Sequence, residues 1–142
     1  MTHVLILDDD PELAQIIKEE VEDIPDTTTD VTWDSAQARE KVTRSILDGK
    51  PYDLFLIDRL LGDDEDGIQV MQELKKVSPD TDAVVITGYA EAEQGIPAIQ
   101  AGALRYMLRP YPPGEMGLLI ESVRERRSTQ HEHKWDQIMR AT

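Results

Sequence analysis

The chain has 142 residues, the length of a single domain, and no cysteine, so disulfides and thiolate-ligated metals are excluded. Twenty-nine Asp and Glu against 15 Lys and Arg give a formal charge of −14, which opposes direct contact with a nucleic-acid backbone. No apolar run approaches the ~20 residues of a membrane-spanning helix, and the first residues lack a basic stretch, so a cytoplasmic location without membrane association is expected.

Residues 4–7 form a short, β-rich apolar run. Leu13, Ile16, Ile17 and Val21 follow at helical spacing, behind an Asp10-Pro11 pair suited to an N-cap and first helical turn. A second strand is predicted at 30–33, where Trp33 reads as edge-strand packing. A second helix carries Ala38, Val42, Ile46 and Leu47 and ends at Asp48-Gly49-Lys50-Pro51. Residues 54–57 give a third strand. Ile68, Met71, Leu74 and Val77 give a third helix, closed by Ser78-Pro79. Residues 83–86 give a fourth strand. The helical pattern over 90–101 is weak because Gly95 and Pro97 interrupt it. Residues 104–108 give a fifth strand. Pro112-Pro113-Gly114 then breaks the chain before a last helix with Met116, Leu119, Ile120 and Val123. This strict alternation predicts an α/β fold: a doubly wound, five-stranded parallel sheet, (βα)5, covered on both faces. It occupies residues 1–127. Residues 128–142, with Trp135, Ile138 and Met139 at helical spacing, read as a helical extension, linker or tail. His131 and His133 stand two apart and do not suggest a metal site.

In such sheets ligands bind beyond the carboxyl ends of the strands, where the strand order reverses. The residues there are Asp8-Asp9-Asp10, Asp58, Thr87-Gly88 and Arg109-Pro110. Any one of these is ordinary; together they place carboxylates, a hydroxyl and a cation along one edge. Crowded carboxylates raise one another's pKa, and a hard divalent cation relieves the repulsion. Oxygen ligands without His or Cys select Mg²⁺, Mn²⁺ or Ca²⁺ over zinc. A carboxylate beside such an ion can act as a nucleophile toward phosphorus. Thr87, backbone N–H groups and Arg109 are suited to the phosphoryl oxygens. Gly88 leaves room for the group to enter, and Asp10 is better suited to capping the first helix.

Val-Leu-Ile-Leu-Asp-Asp-Asp-Pro-Glu-Leu (4–13), Tyr-Asp-Leu-Phe-Leu-Ile-Asp (52–58), Asp-Gly (66–67), Val-Val-Ile-Thr-Gly-Tyr (84–89) and Ala-Gly-Ala-Leu-Arg-Tyr-Met-Leu-Arg-Pro-Tyr (101–111) resemble the receiver domain of two-component response regulators, over about residues 3–127. The resemblance implies the flavodoxin-like strand order 2-1-3-4-5. It implies that Asp58 accepts a phosphoryl group from a histidine kinase or phosphotransfer protein. Asp8, Asp9, Asp58 and the Leu60 backbone carbonyl would hold Mg²⁺ (or Mn²⁺). Thr87 would be the switch hydroxyl, with Gly88 beside it, and Tyr106 the aromatic switch. Arg109 would stand where the family has lysine, with a cis Arg109–Pro110 peptide. The output surface, and a homodimer contact, would be the fourth helix, fifth strand and fifth helix. Such a chain is not an enzyme beyond its own phosphoryl acceptance and loss.

Two departures stand out: Arg109 itself, and the loop after Asp58. That loop has Gly62 in place of the usual proline and one extra residue; its acids (63–66) are expected to be solvated, as is Arg59, for which pairing with the nearby acids is the alternative. Tyr89 is expected at the surface, gating Asp58. The alternatives are a docking module that is never phosphorylated and a phosphohydrolase of the haloacid-dehalogenase type; Glu12 and Pro11 disfavour the second. The absence of a Gly-rich loop after the first strand excludes a nicotinamide enzyme.

Overall fold

The computed structural model describes residues 1–62, 65–88 and 95–141, without the side chains of 130–136 and 141. Its elements in chain order are β1 (Thr2–Leu7), α1 (Pro11–Glu22), β2 (Thr27–Thr32), α2 (Ser35–Leu47), β3 (Leu54–Asp58), β4 (Leu60–Leu61), β5 (Glu65–Asp66), α3 (Gly67–Val77), β6 (Asp82–Thr87), α4 (Gly95–Gln100), β7 (Arg105–Leu108) and α5 (Glu115–Ala141). The main sheet is parallel with the order β2-β1-β3-β6-β7, and β4 and β5 form a separate antiparallel pair. With that pair set aside, the order is the expected 2-1-3-4-5.

Side chains alternate across a strand, so each central strand feeds two cores. Leu5, Leu7, Phe55, Ile57, Ala83 and Val85 pack with Ala38 and Val42 of α2, Met71 and Leu74 of α3, and Ala98 of α4. Val4, Ile6, Leu54, Leu56, Val84 and Ile86 pack with Ile17 and Val21 of α1 and Leu119, Ile120 and Val123 of α5. Burial on both faces explains why β1, β3 and β6 read as continuous apolar runs.

The element boundaries follow local chemistry. The Asp10 side chain accepts the Glu12 N–H at 3.0 Å, with Pro11 opening α1 as expected. Asp34 and Asp66 cap α2 and α3 in the same way. The second strand differs from expectation. It runs from Thr27 to Thr32, and Trp33 lies just beyond it, half exposed. The threonines at 27–29 lack the apolar pattern of a strand, but β-branching suits them to an edge.

α5 continues without a break to Ala141, across the boundary expected at 127. Its arginines grip the lower ends of the strands. Arg124 donates to the Thr2 hydroxyl, Arg126 pairs with Asp82 at 3.2 Å, and Arg127 pairs with Asp53 at 3.4 Å. Ile138 and Met139 are exposed, whereas the Trp135, His131 and His133 side chains lie outside the described residues. Among the described residues no helix is long and apolar enough to cross a membrane.

Candidate functional site

Sheet register brings the chemistry together. Leu7 stands opposite Ile57, so the next residues, Asp8 and Asp58, emerge level with each other where the strand order reverses. Thr87 stands opposite Leu108, and the Arg109 N–H donates to the Thr87 carbonyl at 2.7 Å. The Arg109–Pro110 peptide is cis. Beyond it, the Tyr111 hydroxyl donates to Glu20 and ties this loop to α1.

Asp8, Asp9 and Asp58 each offer a carboxylate oxygen, and these oxygens lie within 4.8 Å of one another. The Asp8 side chain is 2% exposed, and that of Asp58 is 11% exposed. Burial raises the Asp8 carboxyl, against the lowering effect of the Asp10 N–H at 2.9 Å and of Arg109. Burial, then the Asp8 charge, pushes Asp58 up to about 6, while Arg109 and the Leu60 N–H oppose the rise. Arg109 reaches both acids: Nη1 is 3.6 Å from Asp8 Oδ2 and Nη2 is 3.5 Å from Asp58 Oδ1. A guanidinium addresses the two carboxylates through two nitrogens held in a fixed planar fork, whereas an ammonium is a compact point charge. Both contacts are long. Asp8 Oδ2 and Arg109 Nη1 are buried without a hydrogen-bond partner among the described residues. An acid pocket with an unsatisfied, buried carboxylate oxygen and an all-oxygen donor set fits a hard divalent cation.

The other expected residues fall around this pocket. Thr87 is buried at the end of β6. A Cβ on Gly88 would meet nothing within 4 Å, so packing does not require glycine there. Tyr106 is half-buried, and its ring would lie 3.3 Å from a Cβ on Gly95 of α4. It lines a groove of about 680 Å³ with Ile96, Ile99, Arg105 and Leu108. Leu60 begins the β4–β5 hairpin with its side chain exposed. Tyr89 lies outside the described residues.

Arg59 takes the alternative of pairing with a nearby acid rather than the solvated position. It is 13% exposed and pairs with Asp66 at 2.8 Å. Of the acids expected in a solvated loop, Glu65 and Asp66 are half-buried in β5. Gly67 is the other feature the sequence did not reveal. A Cβ there would lie 2.0 Å from the Asp58 carbonyl oxygen, so only glycine lets α3 start against the peptide of Asp58. The Asp-Gly pair was the available signal, but its closeness to Asp58 is a tertiary fact.

With this geometry in view, the family model for the response regulator receiver domain matches residues 4–121. The chain is 28% identical over 129 residues to the response regulator protein PilR of Pseudomonas aeruginosa, covering 90% of this chain and 27% of PilR. It is 26% identical over 126 residues to the response regulator ArlR of Staphylococcus epidermidis, covering 89% of this chain and 54% of ArlR. A response regulator receiver domain protein from Clostridium thermocellum superposes with a TM-score of 0.78 at 20% identity, covering 92% of this chain and 99% of that one. The chain belongs to the response regulator receiver domain family of two-component signal transduction. It spans between about a quarter and a half of the length of these two curated relatives.

Proposed function

We propose that this chain acts in the cytoplasm and takes a phosphoryl group onto Asp58 from the phosphohistidine of a histidine kinase or phosphotransfer protein. The observation that carries this reading is the cluster of a buried Asp8, a half-buried Asp58 and an exposed Asp9, with Arg109 reaching both Asp8 and Asp58. Asp8, Asp9, Asp58 and the Leu60 carbonyl would hold Mg²⁺ or Mn²⁺, which supplies neutralising charge at the phosphoryl oxygens when bound. An ionised Asp58 oxygen forms the new bond to phosphorus. The N–P bond of the donor breaks, and its electron pair stays on the imidazole nitrogen. Arg109 and the Thr87 hydroxyl meet the negative charge on the transferred group. Beyond this transfer and the later hydrolysis of its own acyl phosphate, the chain turns over no substrate.

The phosphorylated state would alter the face made by α4, β7 and α5, where Tyr106 packs against Gly95 and the apolar groove opens. That face is also the proposed homodimer contact, and any output in a longer protein would be read from it. A docking module that is never phosphorylated needs none of these acids, and the charge of a buried Asp8 beside a half-buried Asp58 is a cost such a module would not retain.

Incubation with Mg²⁺ and acetyl phosphate, followed by intact-mass measurement, tests the reading. Wild type is expected to gain one phosphoryl group and Asp58→Asn none. Equal gain in both would remove Asp58 as the acceptor, and no gain in either, with beryllofluoride also failing to bind, would favour the docking module.

A further inference from the structure

Arg59 and Gly67 lie side by side at the exit of β3. The Arg59 N–H donates to the Ile86 carbonyl, and the Arg59 carbonyl accepts the Gly67 N–H, both at 2.9 Å. Leu60 pairs with Asp66 and Leu61 with Glu65. Two residues a side are too few to hold a hairpin in register alone. The base of this one is spanned by the Arg59 Nη1 to Asp66 Oδ1 contact at 2.8 Å, largely withdrawn from solvent. The same Asp66 oxygen accepts the Ile68 N–H at 2.8 Å and so caps α3. The hairpin also touches the acid pocket, because a Cβ on Gly62 would lie 3.0 Å from Asp9 Oδ2. Leu60 stands two residues past Asp58 and opens β4.

We infer that Arg59, through its ion pair with Asp66, is a positioning residue for the divalent-cation site. It fixes the Leu60 backbone against Asp58 and Gly62 against Asp9. The inference rests on the reading of Asp8, Asp9, Asp58 and the Leu60 carbonyl as the metal site. Mg²⁺ demands near-ideal octahedral placement of its ligands, so a loosened hairpin weakens binding even when the carboxylates are untouched. Removing one member of this half-buried pair takes away the charge that faces the other and the contact that spans the base of the strand pair. Asp66→Asn isolates this effect from helix capping, since the amide oxygen still accepts the Ile68 N–H while the charge is lost.

The test is Mn²⁺ binding to the full chain, read by electron paramagnetic resonance of the free ion, with Mg²⁺ as competitor. Arg59→Met is expected to weaken binding about tenfold, the range for residues that orient metal ligands. Asp66→Asn is expected to weaken it by roughly threefold, the double variant no more than Arg59→Met, and Arg59→Lys to recover part of the loss. Wild-type affinity in Arg59→Met and Asp66→Asn, or losses that multiply in the double variant, would overturn the inference and leave the metal site standing. Wild type that binds no Mn²⁺, or binds it equally after Asp9→Asn, would bring down the metal site itself and this inference with it. Should Arg59→Met not fold, Asp66→Asn against wild type decides.

Discussion

Asp58 is held in a folded environment that disfavours its charge. Its carboxyl is pushed up to about 6 by burial and by Asp8. The unfolded chain releases this proton near the ordinary value of about 3.9. Between these values the folded state holds more protons than the unfolded one, so metal-free stability falls as pH rises from about 4 to about 6. Asp58→Asn removes that loss. In EDTA the variant is expected to exceed wild type by on the order of 1–3 kcal/mol at pH 7 and to match it near pH 4. Urea unfolding at the two pH values checks this, and equal stability at pH 7 would mean that Arg109 already compensates the charge. Added Mg²⁺ should narrow the gap by stabilising wild type alone.

At the scale of elements, the site depends on how closely α3 begins beside β3. Gly67 and Gly88 both neighbour functional residues, yet they differ in what a methyl group would meet. At Gly67 it would strike the Asp58 backbone, with the carbonyl oxygen at 2.0 Å and the carbonyl carbon at 2.9 Å; at Gly88 it would meet nothing within 4 Å. Gly67→Ala is therefore expected to cost roughly 3 kcal/mol or more, because backbone cannot swing aside as a side chain can. Gly88→Ala should stay within about 0.5 kcal/mol of wild type. Comparable unfolding midpoints for the two variants would contradict this account of the β3–α3 junction.

For the whole molecule, among the described residues the two cores take side chains from α5 as far as Val123, and the arginine contacts to the sheet reach Arg127. Residues 1–127 are thus proposed to fold alone, with 128–142 a helical extension. Truncation after Arg127 is expected to leave the thermal midpoint within a few degrees of the full chain, as for a change outside the packed core. A truncated chain that fails to fold would show that the extension belongs to the domain. With a formal charge of −14, both forms should gain stability as salt is raised from low ionic strength. Mg²⁺ should add to that gain in wild type beyond its ionic strength.

The sequence by itself determined the alternating βα order, the two-faced burial of the central strands and the site acids. These are carried by local periodicity and by the residues that immediately follow each strand. Asp8, Asp58, Thr87 and Arg109 were legible because a parallel sheet delivers every strand's carboxyl end to one edge. The second strand was legible at 30–32 but not at 27–29, because those threonines are made strand by pairing with β1 rather than by an apolar pattern. Only the tertiary structure decided that Arg59 is buried against Asp66 and that Gly67 lies against the Asp58 peptide. It alone decided that the arginines of α5 reach the ends of β1, β3 and β6. Each of these is set by the separation of groups distant in sequence, down to the ångström, and residue type and spacing do not encode that separation.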